Sequence, residues 1–385
     1  MACGTRLDYD IGLMEVLSQV EPQLCGLVRR LTRPPDRLYI RVNTARISVD
    51  EYIKMVESRG YTLERDEEIP EALWAPVEGP NHVDDRGKKV VADKRAAEAV
   101  MMGSNLYAPG VLYAEGVEKG DKVVVVDPNG VPVAQGVAAM SWAEMKAARR
   151  GLAVRVEQSL YRSIRVSELP GYAEGLIYGQ SLPSMYVARI LDPAPGEVIL
   201  DMNAAPGGKT GHIAQLMRGK GKVIAVDRPS KTRILGETIR RLKLGNVEII
   251  GGDSRALTKT HPSLVGKIDA IVIDPPCTNL GVIPKIRDKK TLKDSVTLAR
   301  YQKGFIREAL KLLKKGGRLV YSTCTLTPLE NEANIQYGLE QGLSEAGIPG
   351  WVGRGLRTRL GLRFHPNRHG TPGFFIGSVL FKLRA

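Results

Sequence analysis

Cysteine is scarce: only Cys3, Cys25, Cys277 and Cys324 occur in 385 residues, and no two stand at the C-x-x-C spacing of a zinc or redox motif. A disulfide framework of the kind that staples small secreted domains is therefore excluded. The four are expected to be free thiols, each either inert packing or reactive chemistry. Aromatic residues are few as well, with 5 Phe, 3 Trp and 13 Tyr. Long apolar runs are missing: VVVV at 123–126 falls far short of the roughly 20 residues that span a bilayer, which excludes a membrane class. The opening MACGTRLDYD has no apolar stretch and carries acids early, so no secretory signal is expected and a cytoplasmic protein is. Acids are in deficit, 42 against 56 Lys and Arg, for a formal charge of +14. That surplus points to a polyanionic partner, nucleic acid foremost, although a merely soluble basic protein shows the same balance.

What is present suffices for two to three domains at roughly 150 residues each. Residues 1–80 begin with helical periodicity at Ile11, Met14, Val16, Leu17 and Val20 and continue with a strand at 39–43. Ser48 with Glu51 three residues on predicts a capped helix ending at Gly60. This is a small α+β unit. Over 86–163 the texture becomes short β-rich runs divided by Gly and Pro, and Asp127-Pro128-Asn129-Gly130 between valine-rich runs predicts a hairpin turn; the whole reads as a β-barrel-like module. Over 164–385 strands alternate with helices: EVILD, KVIAVD, NVEIIGGD, IDAIVIDPP and GRLVYSTC are continuous apolar runs. Strands buried on both faces form a parallel sheet in an α/β domain, where ligands collect at the carboxyl ends.

The chemistry lies at those ends. The run Asp201-Met202-Asn203-Ala204-Ala205-Pro206-Gly207-Gly208-Lys209-Thr210 is a Gly-rich strand-to-helix turn. Gly208-Lys209-Thr210 matches the end of a P-loop and AIVID at 270–274 a Walker B strand, but the glycine that opens a P-loop would fall at Asn203, which argues against an NTPase. Asp227 ends the second strand, where a carboxylate accepts the hydroxyls of a cofactor ribose, and Asp253 follows the third; each alone is equally well a turn aspartate. Together they outline a nucleoside-shaped pocket. Rich in carboxylates, it repels phosphates but suits the sulfonium and amine of S-adenosylmethionine.

After the fourth strand comes Asp274-Pro275-Pro276-Cys277-Thr278-Asn279-Leu280-Gly281, then Lys285, Arg287, Lys289, Lys290 and Lys293, which either hold a nucleic-acid backbone or form a solvated face. Ser322-Thr323-Cys324-Thr325 ends the fifth strand, and Glu330 and Asn331 open the next helix. One cysteine at a strand end is usually packing; two in one pocket point to chemistry. C5 of cytosine is a poor nucleophile, so an enzyme that methylates it first adds a thiolate to C6. The attacking thiol, with an ordinary pKa near 8.5, needs help to ionise. Asp274 is the candidate acid at N3, Cys277 or a water it positions the candidate for removing the C5 proton, and Lys209 a candidate to orient the base or neutralise charge. His365 and His369 stand four apart but no further ligand cluster accompanies them, so no metal is expected. Cys3 and Cys25 receive no role.

At these residues the chain resembles the Nol/Nop/Sun family of RNA cytosine-5 methyltransferases, over most of residues 164–385, through QSLPSMYVARILDPAPGEVILDMNAAPGGKT, IVIDPPC, YSTCTLTPLENE and RFHPNRHGTPGFFIG. The joint presence of DPPC and TC at these strand ends is highly specific. The resemblance implies a Rossmann-like domain, Cys324 of the TC motif as nucleophile, Cys277 of DPPC in product release, and S-adenosylmethionine contacts at Asn203 to Lys209, Asp227, Asp253 and Asp274. The family commonly has Cys where Asn203 stands here, which puts one side-chain contact to the cofactor in question. VVADKRAAEAVMMGSNLYAPGV and GVPVAQGVAAMS are similar to PUA domains, and a PUA module in this position is characteristic of the NSUN6-like branch. That implies a tRNA partner whose acceptor end and CCA tail the PUA domain holds, with an acceptor-stem cytosine as target. A monomer without an obligate protein partner is expected. The competing reading from another class is a non-catalytic RNA-binding protein, against which intact Cys324, Cys277, Asp274 and Lys209 argue.

Overall fold

The computed structural model describes residues 2–148 and 150–380; the last five residues of the 164–385 segment lie outside them. The catalytic sheet contains β1 (Val198–Asp201), β2 (Lys222–Asp227), β3 (Val247–Gly251), β4 (Ile268–Ile273), β5 (Leu313–Thr323), β6 (Gly361–Phe364) and β7 (Phe374–Leu380). Their order is β3-β2-β1-β4-β5-β7-β6, with Leu356–Thr358 at the edge and Ser344–Glu345 beside β7. The first five are parallel, as expected, but β3 lies at the sheet edge with Glu248 exposed and is not buried on both faces, and β7 runs antiparallel to β5. Two apolar layers sandwich the sheet. One is built on the helix Leu182–Leu191 and includes Ile199, Val272, Val320 and Ile213; the other is built on the helix Leu292–Leu312 and includes Leu200, Ile271, Tyr321 and Phe305. The sheet order reverses between β1 and β4, which opens a crevice above their carboxyl ends.

The barrel-like module is a six-stranded sheet, Leu106–Tyr107, Leu152–Ser159, Pro132–Ala138, Lys122–Val126, Lys88–Ala92 and Val111–Tyr113 in spatial order, around a core that includes Val90, Val123, Val125 and Val154. The expected hairpin turn joins two of these strands. Asp127 accepts from the amides of Asn129 and Val131, each at 2.8 Å, so the turn is held by its own side chain.

The N-terminal unit is less separate than residues 1–80 suggested. Ser48 and Glu51 form the anticipated capping box, although the helix runs Val49–Glu57 and stops short of Gly60. The sheet of Arg37–Val42, Glu64–Arg65 and Ala72–Pro76 takes its fourth strand from Ile177–Gly179, beyond the barrel. The barrel is thus inserted between strands of one sheet, and the first strand after residue 164 belongs to the N-terminal unit. Arg41 of this sheet, fully buried, donates to the carbonyl of Gly208 at 2.7 Å and to Gln215 Oε1 at 3.1 Å, bracing the Gly-rich turn from behind.

One expectation fails outright: Cys3 and Cys25 form a disulfide across a sequence separation of 22. The short turn Ala2–Gly4 folds back over the helix Leu24–Arg30, bringing together two residues that spacing alone did not pair. Just beyond, Leu7–Tyr9 pairs in parallel with Asp288–Lys290, and Tyr9 Oη donates to Asp288 Oδ2 at 3.3 Å. From the other side, the amide of Ile286 donates to Glu98 Oε1 of the barrel unit at 3.1 Å. The segment after Cys277 is therefore gripped by both the N-terminal arm and the barrel.

Candidate active site

A cavity of about 540 Å³ opens at the crevice and is lined by residues from the ends of β1, β2, β4 and β5 and from the loop after β3. Of the anticipated residues, Asn203, Ala205, Asp227, Asp253, Asp274, Cys277 and Cys324 line it. Ala204, Pro206, Gly207, Gly208 and Lys209 do not. Ala204 is buried and its amide is spent on Val226, and Pro206 faces a different hollow beside Tyr178 and Arg241. Gly207 has φ +111°, and a Cβ there would meet Thr238 Cγ2 at 2.9 Å, so only glycine serves at this turn into the helix Gly208–Leu216.

Lys209 reaches the site through its partner. Its Nζ donates to Asp274 Oδ2 at 2.6 Å, and Ser322 Oγ donates to Asp274 Oδ1 at 2.9 Å. Burial opposes the lysine's charge, but Asp274 outweighs it and the ammonium is held above its ordinary pKa. Asp201, at the base of the turn, accepts from Thr210 Oγ1 at 2.7 Å, and burial pushes its carboxyl up to about 6. Asp227 accepts from the amides of Ala205 at 2.9 Å and Arg228 at 2.8 Å; each oxygen keeps a lone pair for a hydroxyl. Asp253 is engaged by its neighbour Arg255, whose guanidinium lies 4.2 Å from the ring centroid of Tyr301.

The two thiols meet above this floor. Cys277 Sγ and Cys324 Sγ are 3.4 Å apart, and both donate to Asn279 Oδ1, at 3.2 and 3.0 Å. The hydrogen bond to Cys324 and burial together push the Cys277 thiol well above its ordinary pKa. Gly281 sits where its amide donates to the Cys324 carbonyl at 2.9 Å, and a Cβ there would strike the Gly373 carbonyl oxygen at 2.2 Å.

Sequence reasoning missed what holds these loops in register. Glu330 is fully buried and accepts from the Thr278 amide at 3.0 Å, Thr278 Oγ1 at 2.6 Å, Ser295 Oγ at 3.0 Å and Gln302 Nε2 at 3.0 Å. Asn331 donates to the Thr325 carbonyl at 3.2 Å. Asn331 is the N-cap of the following helix, Glu332–Glu340, and Glu330 precedes it; the side chains of both turn back onto the cysteine loops. The signal available was a cluster of polar residues, Thr325, Thr327, Glu330 and Asn331, just past an apolar strand. The basic segment also departs from expectation: Lys285 is buried and paired with Asp288 at 3.1 Å, so it does not face solvent, while Arg287 and Lys293 are exposed. His365 and His369 lie outside the cavity, on the short helix Pro366–His369 and its N-cap.

Fold and site together are those of an S-adenosylmethionine-dependent methyltransferase that carries a PUA domain. Residues 188–380 match the family described as 16S rRNA methyltransferase RsmB/F, and residues 88–160 match the PUA domain. Over 360 residues, 92% of this chain and 91% of the relative, the chain is 44% identical to tRNA (cytosine(72)-C(5))-methyltransferase of Pyrococcus horikoshii. It is 32% identical to tRNA (cytosine(72)-C(5))-methyltransferase NSUN6 of Mus musculus, covering 83% of this chain and 75% of the relative. The crystal structure of NSun6 from Pyrococcus horikoshii, solved with the S-adenosylmethionine analogue SFG, matches with a TM-score of 0.88 and 41% identity over 97% of this chain and 98% of that one. The chain belongs to the Sun/Nop family of RNA cytosine-5 methyltransferases. Membership displaces the non-catalytic and P-loop alternatives. The residues present fit S-adenosylmethionine: Asn203 Oδ1 is a buried acceptor without a partner among the described residues, and Gly252, on the cavity wall, has open space where a Cβ would stand.

Proposed function

We propose that this enzyme methylates C5 of an acceptor-stem cytosine of tRNA next to the CCA end, the PUA domain holding that end. The relatives named for tRNA cytosine 72 support the substrate. The observation that carries the chemistry is the pair of sulfurs 3.4 Å apart on the rim of a carboxylate-lined cavity. Asp227 would take the ribose hydroxyls of S-adenosylmethionine, and Asn203 with Asp274 its cationic end. When bound, S-adenosylmethionine supplies an electrophilic methyl group to C5.

In this reading Cys324 is the nucleophile. Its thiolate forms a bond to C6, the C5–C6 π electrons shift onto the ring, and N3 takes a proton delivered through Asp274 from Lys209. The ion pair is placed for this, with Nζ donating to Oδ2 at 2.6 Å. After C5 is substituted its proton must leave; burial and Cys324 keep Cys277 a thiol, so a water that this thiol positions takes the proton to solvent. The electrons re-form C5=C6 and expel Cys324 as thiolate. A paired target base would first have to leave its stack, which costs a few kcal/mol.

The test is transfer of labelled methyl from S-adenosylmethionine to unmodified tRNA transcripts with and without CCA, beside Cys324→Ala. Label with the parent only, and dependent on CCA, is expected. Turnover by Cys324→Ala would overturn the nucleophile, and CCA-independent label would overturn the docking of that end.

A further inference from the structure

Asn279 follows Cys277 by two residues with φ +58°, in the left-handed region that asparagine tolerates. Its amide forms the third corner of a triangle with the two sulfurs, 3.2 and 3.0 Å from them. The loop around it is anchored on both sides, by the Thr278 amide on Glu330 and the Gly281 amide on the Cys324 carbonyl, so the side chain is held against the thiols. A primary amide has two chemically opposite ends of nearly equal size. Oxygen accepts from S–H, nitrogen donates to S⁻, and exchanging them needs no extra volume.

Among the described residues, the charged and titratable groups around the sulfurs are Lys209 on its helix, Asp274 and Cys277 after β4, Tyr321 in β5, Cys324 after β5, and Glu330 behind Thr278. Lys209 is the cation among them, and its ammonium is committed to Asp274 at 2.6 Å. Asp274 and Glu330 oppose a second negative charge. A thiolate on Cys324 is attracted by the Lys209 ammonium through space but receives no hydrogen bond from it, so a neutral donor at short range adds the direct hydrogen bond.

We propose that Asn279 is the amide that carries this pair from resting dithiol to reactive thiolate. With oxygen toward the sulfurs, both are held as thiols; with nitrogen toward Cys324, the amide donates to the thiolate that attacks the base, the Cys324 proton passing to solvent water. The inference rests on the assignment of Cys324 given above, and it adds a residue that sets when that nucleophile is armed.

The experiment is alkylation of Cys324 by iodoacetamide across a pH series, read peptide by peptide by mass spectrometry, in the parent, Asn279→Gly and Asn279→Asp. Glycine keeps the left-handed backbone and removes the amide; aspartate keeps the shape but accepts only and adds negative charge. The Cys324 profile should move to higher pH in Asn279→Gly, with alkylation near neutral pH roughly tenfold slower, the order of one hydrogen bond to a charge. It should move further in Asn279→Asp, and the ascending limb of kcat should follow while KM for RNA stays. A profile for Asn279→Gly that superposes on the parent overturns the proposal, as does a uniform loss without a pH shift. Alkylation needs neither RNA nor S-adenosylmethionine, so turnover by Cys324→Ala would sink the nucleophile assignment by a separate reading, whereas superposed profiles sink this one.

Discussion

The hydroxyl of Thr278, the residue after Cys277, donates to Glu330 Oε1 at 2.6 Å and lies 2.5 Å from Thr325 Oγ1, the residue after Cys324. One buried carboxylate thus clamps the loops that carry both thiols. Burial raises its pKa, while the hydrogen bonds from Thr278 pull the other way.

Glu330→Ala should leave the donors of Thr278, Ser295 and Gln302 unpaired, lowering stability by about 3 kcal/mol. A shift of the thiols by an ångström should cut methyl transfer by roughly a hundredfold, with S-adenosylmethionine affinity by calorimetry nearly unchanged because Asn203 and Asp227 stand on other strands. Undiminished turnover would show that the clamp is dispensable.

Cys277→Ala should accumulate a covalent RNA adduct, seen as a slow band on a denaturing gel that the parent lacks. Removing the thiol leaves addition at C6 possible through Cys324 but slows loss of the C5 proton, so the S–C6 bond persists. If no such band forms under turnover, Cys277 is not the group that releases product.

Asp201 supplies a pH-dependent stability. Its folded carboxyl stands at about 6 against an ordinary 3.8, so the neutral form favours folding; that stabilisation is present below the lower value and is lost as pH rises through the higher, by about 3 kcal/mol. Asp201→Asn cannot ionise. The difference in Tm between variant and parent should therefore move in the variant's favour from about pH 4 to about pH 8, and a constant difference would contradict the assignment.

Lys285 and Arg287 should separate in RNA binding. Lys285, buried against Asp288, should affect thermal stability when changed to alanine and leave the salt dependence of tRNA binding unaltered. Arg287→Ala, at an exposed position, should reduce the slope of log K against log salt by about 1. Equal slopes for the two variants would place neither side chain on the phosphates.

Local pattern carried much of this protein. Apolar runs identify β1, β2, β4 and β5 because their central and carboxyl-terminal residues are buried on both faces, and Asp127-Pro128-Asn129-Gly130 identifies its hairpin because the turn needs those backbone angles. The strand-end residues Asn203, Asp227, Asp274, Cys277 and Cys324 were legible because a parallel sheet sends its functional groups to one edge. Other features had no local signature. The disulfide of Cys3 and Cys25 depends on how a turn packs on a helix, and the fourth strand of the N-terminal sheet arrives from beyond the barrel. Glu330, Lys285 and Asn279 looked like ordinary solvated or turn residues. What each does depends on partners up to 52 residues away, and hydrogen bonds and ion pairs act only over a few ångströms, so they exist only once the chain has closed around them.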